Sequence, residues 1–161
     1  MITVEQYLDH CERALDGFGA ICEELGDDLV GERLDGVPGS NSAFALVSHV
    51  VGVMAYWGST VNRGVVVPRD RDAEFTATGT VDEALAMLDA GRTRFRDDVR
   101  AAAPTEAPAN PSRSDRHDGF TRTQGGVLLH VYEELAQHLG QLEVTRDVLL
   151  ATRAAGSAGT A

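Results

Sequence analysis

Apolar positions recur along most of the chain at spacings of three and four, the period of a helix with one buried face. Val4, Tyr7, Leu8, Cys11, Leu15, Phe18, Cys22 and Leu25 mark the first such helix, and Thr3 followed by Gln6 forms a capping-box pattern at its start. Gly26-Asp27-Asp28 and Gly36-Val37-Pro38-Gly39 punctuate the connection after it. A second helix is predicted from Ser40 or Ser42 to about Asn62, with Gly64 as its stop, and it is apolar almost all round. A third begins at Thr80, where Glu83 completes another capping box, and turns Val81, Ala84, Leu85, Leu88, Phe95 and Val99 inward. The last runs from about Gln124 to about Arg153, with Val127, Val131, Leu135, Leu142 and Leu149 on its apolar side.

Between these helices lie two long connections. Val65–Thr78 holds the run Pro68-Arg69-Asp70-Arg71-Asp72-Ala73-Glu74-Phe75, whose charges suit a solvated face. Ala103–Arg122 is rich in Pro, Ser, Asp and Arg and reads as a crossing loop with room for a short strand. No internal repeat or second domain emerges. The fold expected is all-α: one four-helix bundle over residues 1–153 with long connections, followed by a flexible tail over 154–161. A chain of 161 residues with 43% hydrophobic and 24% charged residues can bury one proper core.

Charge narrows the partners. The formal net charge of −11 argues against nucleic acid, whose phosphates need a positive footprint. All fourteen basic residues are arginines, a bias that suits a high-GC bacterial genome. Ala43 to Trp57 is strongly apolar but shorter than a membrane span and contains His49, so a buried helix is expected and no membrane. Met1–Glu5 has neither a basic nor an apolar leader region, and no signal peptide is expected. Cys11 and Cys22 lie on one helix, too far apart at about 1.5 Å per residue for a disulfide, and read as core residues of a cytoplasmic protein.

Three polar residues interrupt the apolar logic of the last helix. His130, Glu134 and His138 follow at steps of four and form a row along the edge of its buried side, whereas Glu133 and Gln137 point to solvent. Buried polar groups need partners, and a divalent metal would satisfy Glu134 and His138 together. His49 changes the odds, because it stands mid-helix among Phe44, Ala45, Val47, Val50, Val51 and Val53. With Glu134 and His138 it offers a His/Glu/His set of the kind catalytic zinc sites use, with positions left for water or substrate. Nickel or iron also accept these ligand types, zinc and nickel being the ions expected. His130 is the candidate catalytic group, placed either to move a proton or simply to hydrogen-bond within the bundle. Arg69 and Arg71 either hold an anionic substrate or pair with Asp70, Asp72 and Glu74. Tyr56, two turns beyond His49, either lines the pocket or packs.

The pattern Ser42-x6-His49 with Trp57 further on, and the pattern His130-x3-Glu134-x3-His138-x-Gly140-Gln141, resemble those of the DinB-like superfamily. The segment Arg69–Phe75 followed by Gly79-Thr80 resembles its actinobacterial branch, which includes mycothiol transferases and maleylpyruvate isomerases. The resemblance extends to about Arg153. It implies a four-helix bundle holding a divalent metal through one histidine of the second helix and two residues of the last. Many members have histidine at the position of Glu134, and the carboxylate here is similar to that of the mycothiol-dependent maleylpyruvate isomerases. The activity implied is transfer or hydrolysis that uses a low-molecular-weight thiol such as mycothiol with an electrophilic small molecule. An ion with open positions would favour thiolate over thiol or activate water. The alternative is a non-catalytic metal- or small-molecule-binding bundle associated with stress. A homodimer is expected, because DinB-like bundles often pair and because the faces around Ala55 and Val61 need cover, from the long connections or from a second subunit.

Overall fold

The structure, a computed structural model, describes residues 2–111, 119 and 121–158. Its helices are α1 (Val4–Leu29), α2 (Ala43–Met54), α3 (Arg71–Glu74), α4 (Val81–Ala101) and α5 (Gln124–Ala158). No strand occurs among the described residues. Residues 112–118 and 120, within the connection where a short strand had room, lie outside them, as do 159–161 of the tail.

Local chemistry sets the helix starts. Thr3 and Gln6 exchange the two hydrogen bonds of a capping box at α1, and Thr80 and Glu83 do the same at α4. Of the two serines that could open α2, Ser42 caps it by accepting from the Ala45 amide, while Ser40 accepts from the Leu34 amide in the loop before. Thr123 accepts from the Gly126 amide at the head of α5. Gly26 sits at φ 66°, breaking α1 one turn before its end, where a side chain would strain the backbone.

The predicted core faces are the ones that pack. Phe18, Cys22, Leu46, Val47, Val50, Val127, Val131, Leu135 and Leu142 have essentially no exposed surface. Helices α1, α2, α4 and α5 share this core, and two glycines, Gly58 in the segment that follows α2 and Gly91 on α4, let the second helix approach α4 closely. A Cβ at Gly58 would lie 2.9 Å from Asp98 Oδ2, and one at Gly91 would lie 3.1 Å from Met54 Cε. Asp98 is itself buried and accepts from Ser59 Oγ at 2.5 Å and from Arg63 Nη1 at 2.8 Å, which fixes the far end of the second helix against α4.

Three features differ from the sequence expectation. Beyond Met54 the second helix continues to Asn62 in π-helical geometry (Ala55–Asn62), a change of winding that composition does not announce. The charged connection contains α3, capped by Asp70, and Glu74 at its end is buried rather than solvated. The last helix does not stop at Arg153 but continues through Ala158 with exposed side chains at 154–156.

The apolar second helix also finds its cover inside one chain. Ala55 and Val61 are buried, and the crossing connection is laced to Val61 and Asn62 by the amides of Asn110 and Ala109. The local reason to invoke a second subunit is thereby removed, and a homodimer rests on the family resemblance alone. The segment Ala43–Asn62 is long and apolar enough to cross a bilayer, yet most of it is buried within the bundle.

Cys11 and Cys22 are both buried free thiols, and burial pushes each from an ordinary 9.0 up to about 12. A folded-state value above the unfolded one favours folding until the unfolded thiols ionise, so this contribution falls as pH rises from about 9 toward 12. The native protein is expected to be inert to a thiol-specific chromogenic reagent at pH 8, and the denatured protein to react at both cysteines. Fast labelling of the native state would contradict the burial.

Candidate metal centre

Helix α5 presents His130, Glu134 and His138 from successive turns, and α2 brings His49 against them from across the bundle. His49 Nε2 lies 3.5 Å from Glu134 Oε2, and His138 Nε2 lies 3.3 Å from the same oxygen. One nitrogen from each of these histidines and one oxygen of Glu134 fall within 4.8 Å of one another. Ligand atoms about 2.0–2.1 Å from a tetrahedral ion stand roughly 3.3–3.4 Å apart, a spacing that the two nitrogen–oxygen distances of 3.5 and 3.3 Å match. The expectation that His49, Glu134 and His138 converge therefore agrees with the geometry. Glu133, next to Glu134, projects outward and is largely exposed.

Each imidazole has its second nitrogen occupied. His138 Nδ1 is 3.0 Å from Gln141 Oε1, one turn along the same helix. His49 Nδ1 is 2.9 Å from Glu74 Oε2. Phe75 stacks on the His49 ring at 4.5 Å between centroids, and Arg71 lies over the other ring of that pair, 5.1 Å from the Phe75 centroid. The Phe75 carbonyl accepts from Arg33 Nη2, tying the end of α3 to the loop after α1. Glu74 is gripped by Arg69, with Nε donating to Oε1 at 2.6 Å and Nη2 to Oε2 at 2.9 Å.

His130 stands beside the set rather than in it. Its Nε2 is 3.5 Å from the other Glu134 oxygen, Oε1, and its Nδ1 is 3.3 Å from Glu133 Oε2. The Trp57 ring meets it edge-on at 5.0 Å. Tyr56 does not join the three ligands. It packs against Trp57 and beneath Arg69, and lines a separate cavity of about 240 Å³ with Ser48, Gly52 and Arg94.

The electrostatics follow from these contacts. Hydrogen bonds from His138 and then His49 hold the Glu134 carboxyl far below the usual carboxylate range. At His49, burial alone would lower the pKa, but the hydrogen bonds to Glu134 and Glu74 outweigh it and raise it above 6.5. At Glu74, burial pushes upward, and the hydrogen bonds from Arg69 and His49 reverse this, leaving the carboxyl below its ordinary value. The site is unequally open: side-chain exposure is 4% at His49, 20% at His138 and 26% at Glu134.

A sequence profile of mycothiol-S-transferases matches residues 3–150. The chain belongs to the mycothiol-S-transferase family. That family lies within the DinB-like superfamily, as the helix motifs suggested. No match was found among curated proteins or among solved structures. The mycothiol-S-transferase match spans every residue of the candidate centre, including Arg69, Glu74 and Phe75, which sequence reading left on the surface. Pairing of Arg69 with an acidic neighbour was open from the sequence, but nothing in the charge run distinguished Glu74 from Asp70 or Asp72.

Two outcomes are expected. His49 must give up its proton to serve as a ligand, and its raised pKa means this competition starts at a higher pH than for an ordinary histidine. Metal affinity should therefore fall as pH drops through that raised value, with protons released on binding near neutral pH, measurable by calorimetry in buffers of different ionisation enthalpy. Glu134→Ala should lose the ion, whereas Glu133→Ala should keep it, as read by metal analysis after dialysis. Equal losses would show that the phase of α5 is wrong.

Proposed function

We propose that the protein is a metal-dependent S-transferase that joins a low-molecular-weight thiol of the mycothiol type to an electrophilic small molecule. The observation that carries this reading is the convergence of His49 Nε2 and His138 Nε2 on one Glu134 oxygen, in a chain belonging to the mycothiol-S-transferase family. The cysteines add weight. Both are buried in the α1 core with raised pKa values, so neither is available as a nucleophile, and a reacting thiol has to arrive with a cosubstrate.

His49, Glu134 and His138 would hold a zinc or nickel ion. When bound, the ion supplies Lewis acidity that favours thiolate over thiol at neutral pH. The residues of the chain do the rest. Glu134 would contribute the negative charge and the two neutral imidazoles would complete the set. The thiol proton passes to His130 Nε2, which sits beside Glu134 Oε1 and within the bundle edge. The sulfur forms a new S–C bond, the leaving group departs with its electron pair, and His130 returns the proton to it or to solvent. The net charge of −11 suits a small-molecule substrate rather than nucleic acid, and the absence of lysine, a high-GC trait, favours mycothiol as the thiol.

The deciding experiment is metal analysis of purified protein followed by transfer assays with mycothiol and alkyl- or aryl-halide electrophiles. Turnover that requires the ion and vanishes in His138→Ala supports the reading. Tight metal binding without turnover of mycothiol and any of these electrophiles returns the non-catalytic binding bundle. His130→Gln is expected to lower kcat by about 10²–10⁴-fold with metal content unchanged. Full activity in that variant would reduce His130 to a packing role.

A further inference from the structure

Resting on the metal reading above, we infer that Glu74, clamped by Arg69 and seated over Gly52, is the positioning residue that fixes the tautomer of His49 and turns its Nε2 lone pair toward the metal position. His49 is the ligand that α5 cannot supply, and it is also the most enclosed of the three. An imidazole in that place has two possible neutral forms. With the proton on Nε2 it presents a donor to the ion and cannot bind it; with the proton on Nδ1 it presents a lone pair.

Glu74 decides between them. Both carboxylate oxygens already accept from the Arg69 guanidinium, so the group is an acceptor and can face His49 Nδ1 at 2.9 Å only if that nitrogen carries the hydrogen. Glu134 also faces the ring, but its Oε2 stands 3.5 Å from Nε2 against 2.9 Å for the Glu74 contact, so in the neutral ring the hydrogen belongs on Nδ1 and the lone pair is left on Nε2. Phe75 prevents the ring from turning over by stacking on its face. The carboxylate also strengthens the ring as an electron donor, as such partners do for metal-bound histidines.

The sequence makes room for this arrangement at one position. A Cβ on Gly52 would collide with Glu74 Oε1 and lie 2.7 Å from its carboxyl carbon and 3.3 Å from Arg69 Nε. Gly52 lies within the most apolar helix of the protein, where glycine is a poorer helix former than alanine. The space it leaves is filled by the Glu74 carboxylate. Position 52 thus gives access to the relay without altering any polar residue in it.

Nitrogen-15 correlation spectra of the metal-free protein at mildly alkaline pH report the tautomer directly. Wild type is expected to carry the His49 proton on Nδ1, and Glu74→Gln and Gly52→Ala to shift the ring toward the Nε2–H form. In competition with a chromophoric chelator, both variants are expected to bind Zn²⁺ about 10–100-fold more weakly, with Glu74→Asp recovering part of the loss. A wild-type His49 protonated on Nε2 overturns the inference, and so do variants with wild-type tautomer and Zn²⁺ affinity. If Glu74→Gln does not fold, the wild-type spectrum and Gly52→Ala decide the matter. A wild-type protein that binds no Zn²⁺ would refute the metal centre, while the spectra would still judge the relay by itself.

Discussion

Most of what is unusual about this bundle can be traced to one carboxylate, Glu134, lodged where a core helix would ordinarily carry leucine. Ionised and largely enclosed, it has to be compensated, and three imidazoles surround it at 3.3–3.5 Å. Two of them come from its own helix at the natural four-residue spacing and require nothing more than helix α5. The third comes from α2, and its arrival depends on the packing of the whole bundle. The close approach of the second helix to α4 through Gly58 and Gly91 holds that helix in place, and the buried Asp98 cluster secures its distal end. Architecture and chemistry therefore meet at a single contact, the one between His49 and Glu134.

Much of this was readable from periodicity. Four helices, two capping boxes, the inward row on α5 and the isolated histidine of α2 all follow from spacing, because each is a short-range pattern that local geometry translates into position. The phase argument that separates Glu134 from Glu133 is of the same kind. What spacing could not show was anything dependent on where a connection folds back. Glu74 belongs to a run of alternating charges, and only the path of residues 65–78 across α2 carries it into the interior while Asp70 stays outside as a cap. The π-helical winding after Met54 escaped for a related reason. It reflects how the helix accommodates its neighbours, and no residue within Ala55–Asn62 encodes it alone.

The surplus hydrophobicity of the second helix also reads differently once the path is known. An element apolar on every side suggests a partner, yet here the chain encloses it from all directions, with α3 and the crossing connection covering what α4 and α5 do not. Connections that look like spacers in the sequence act as walls in the structure. One of them supplies a ring of contacts around His49, and the other laces the end of the second helix to the start of α5.

The unequal exposure of the ligands gives the centre a front and a back. The back, at His49, Glu74 and Phe75, is closed, and the front, along α5, is the more open side; on the proposed reading the back governs how strongly an ion is held and the front receives the reacting molecule. On the proposed reading, substrate range is set along α5, while the alignment of His49 is set by the connection before α4. A lineage could exchange side chains along the front to accept new electrophiles while the back stayed unchanged, and one scaffold would then serve many small-molecule chemistries without reinventing its ion.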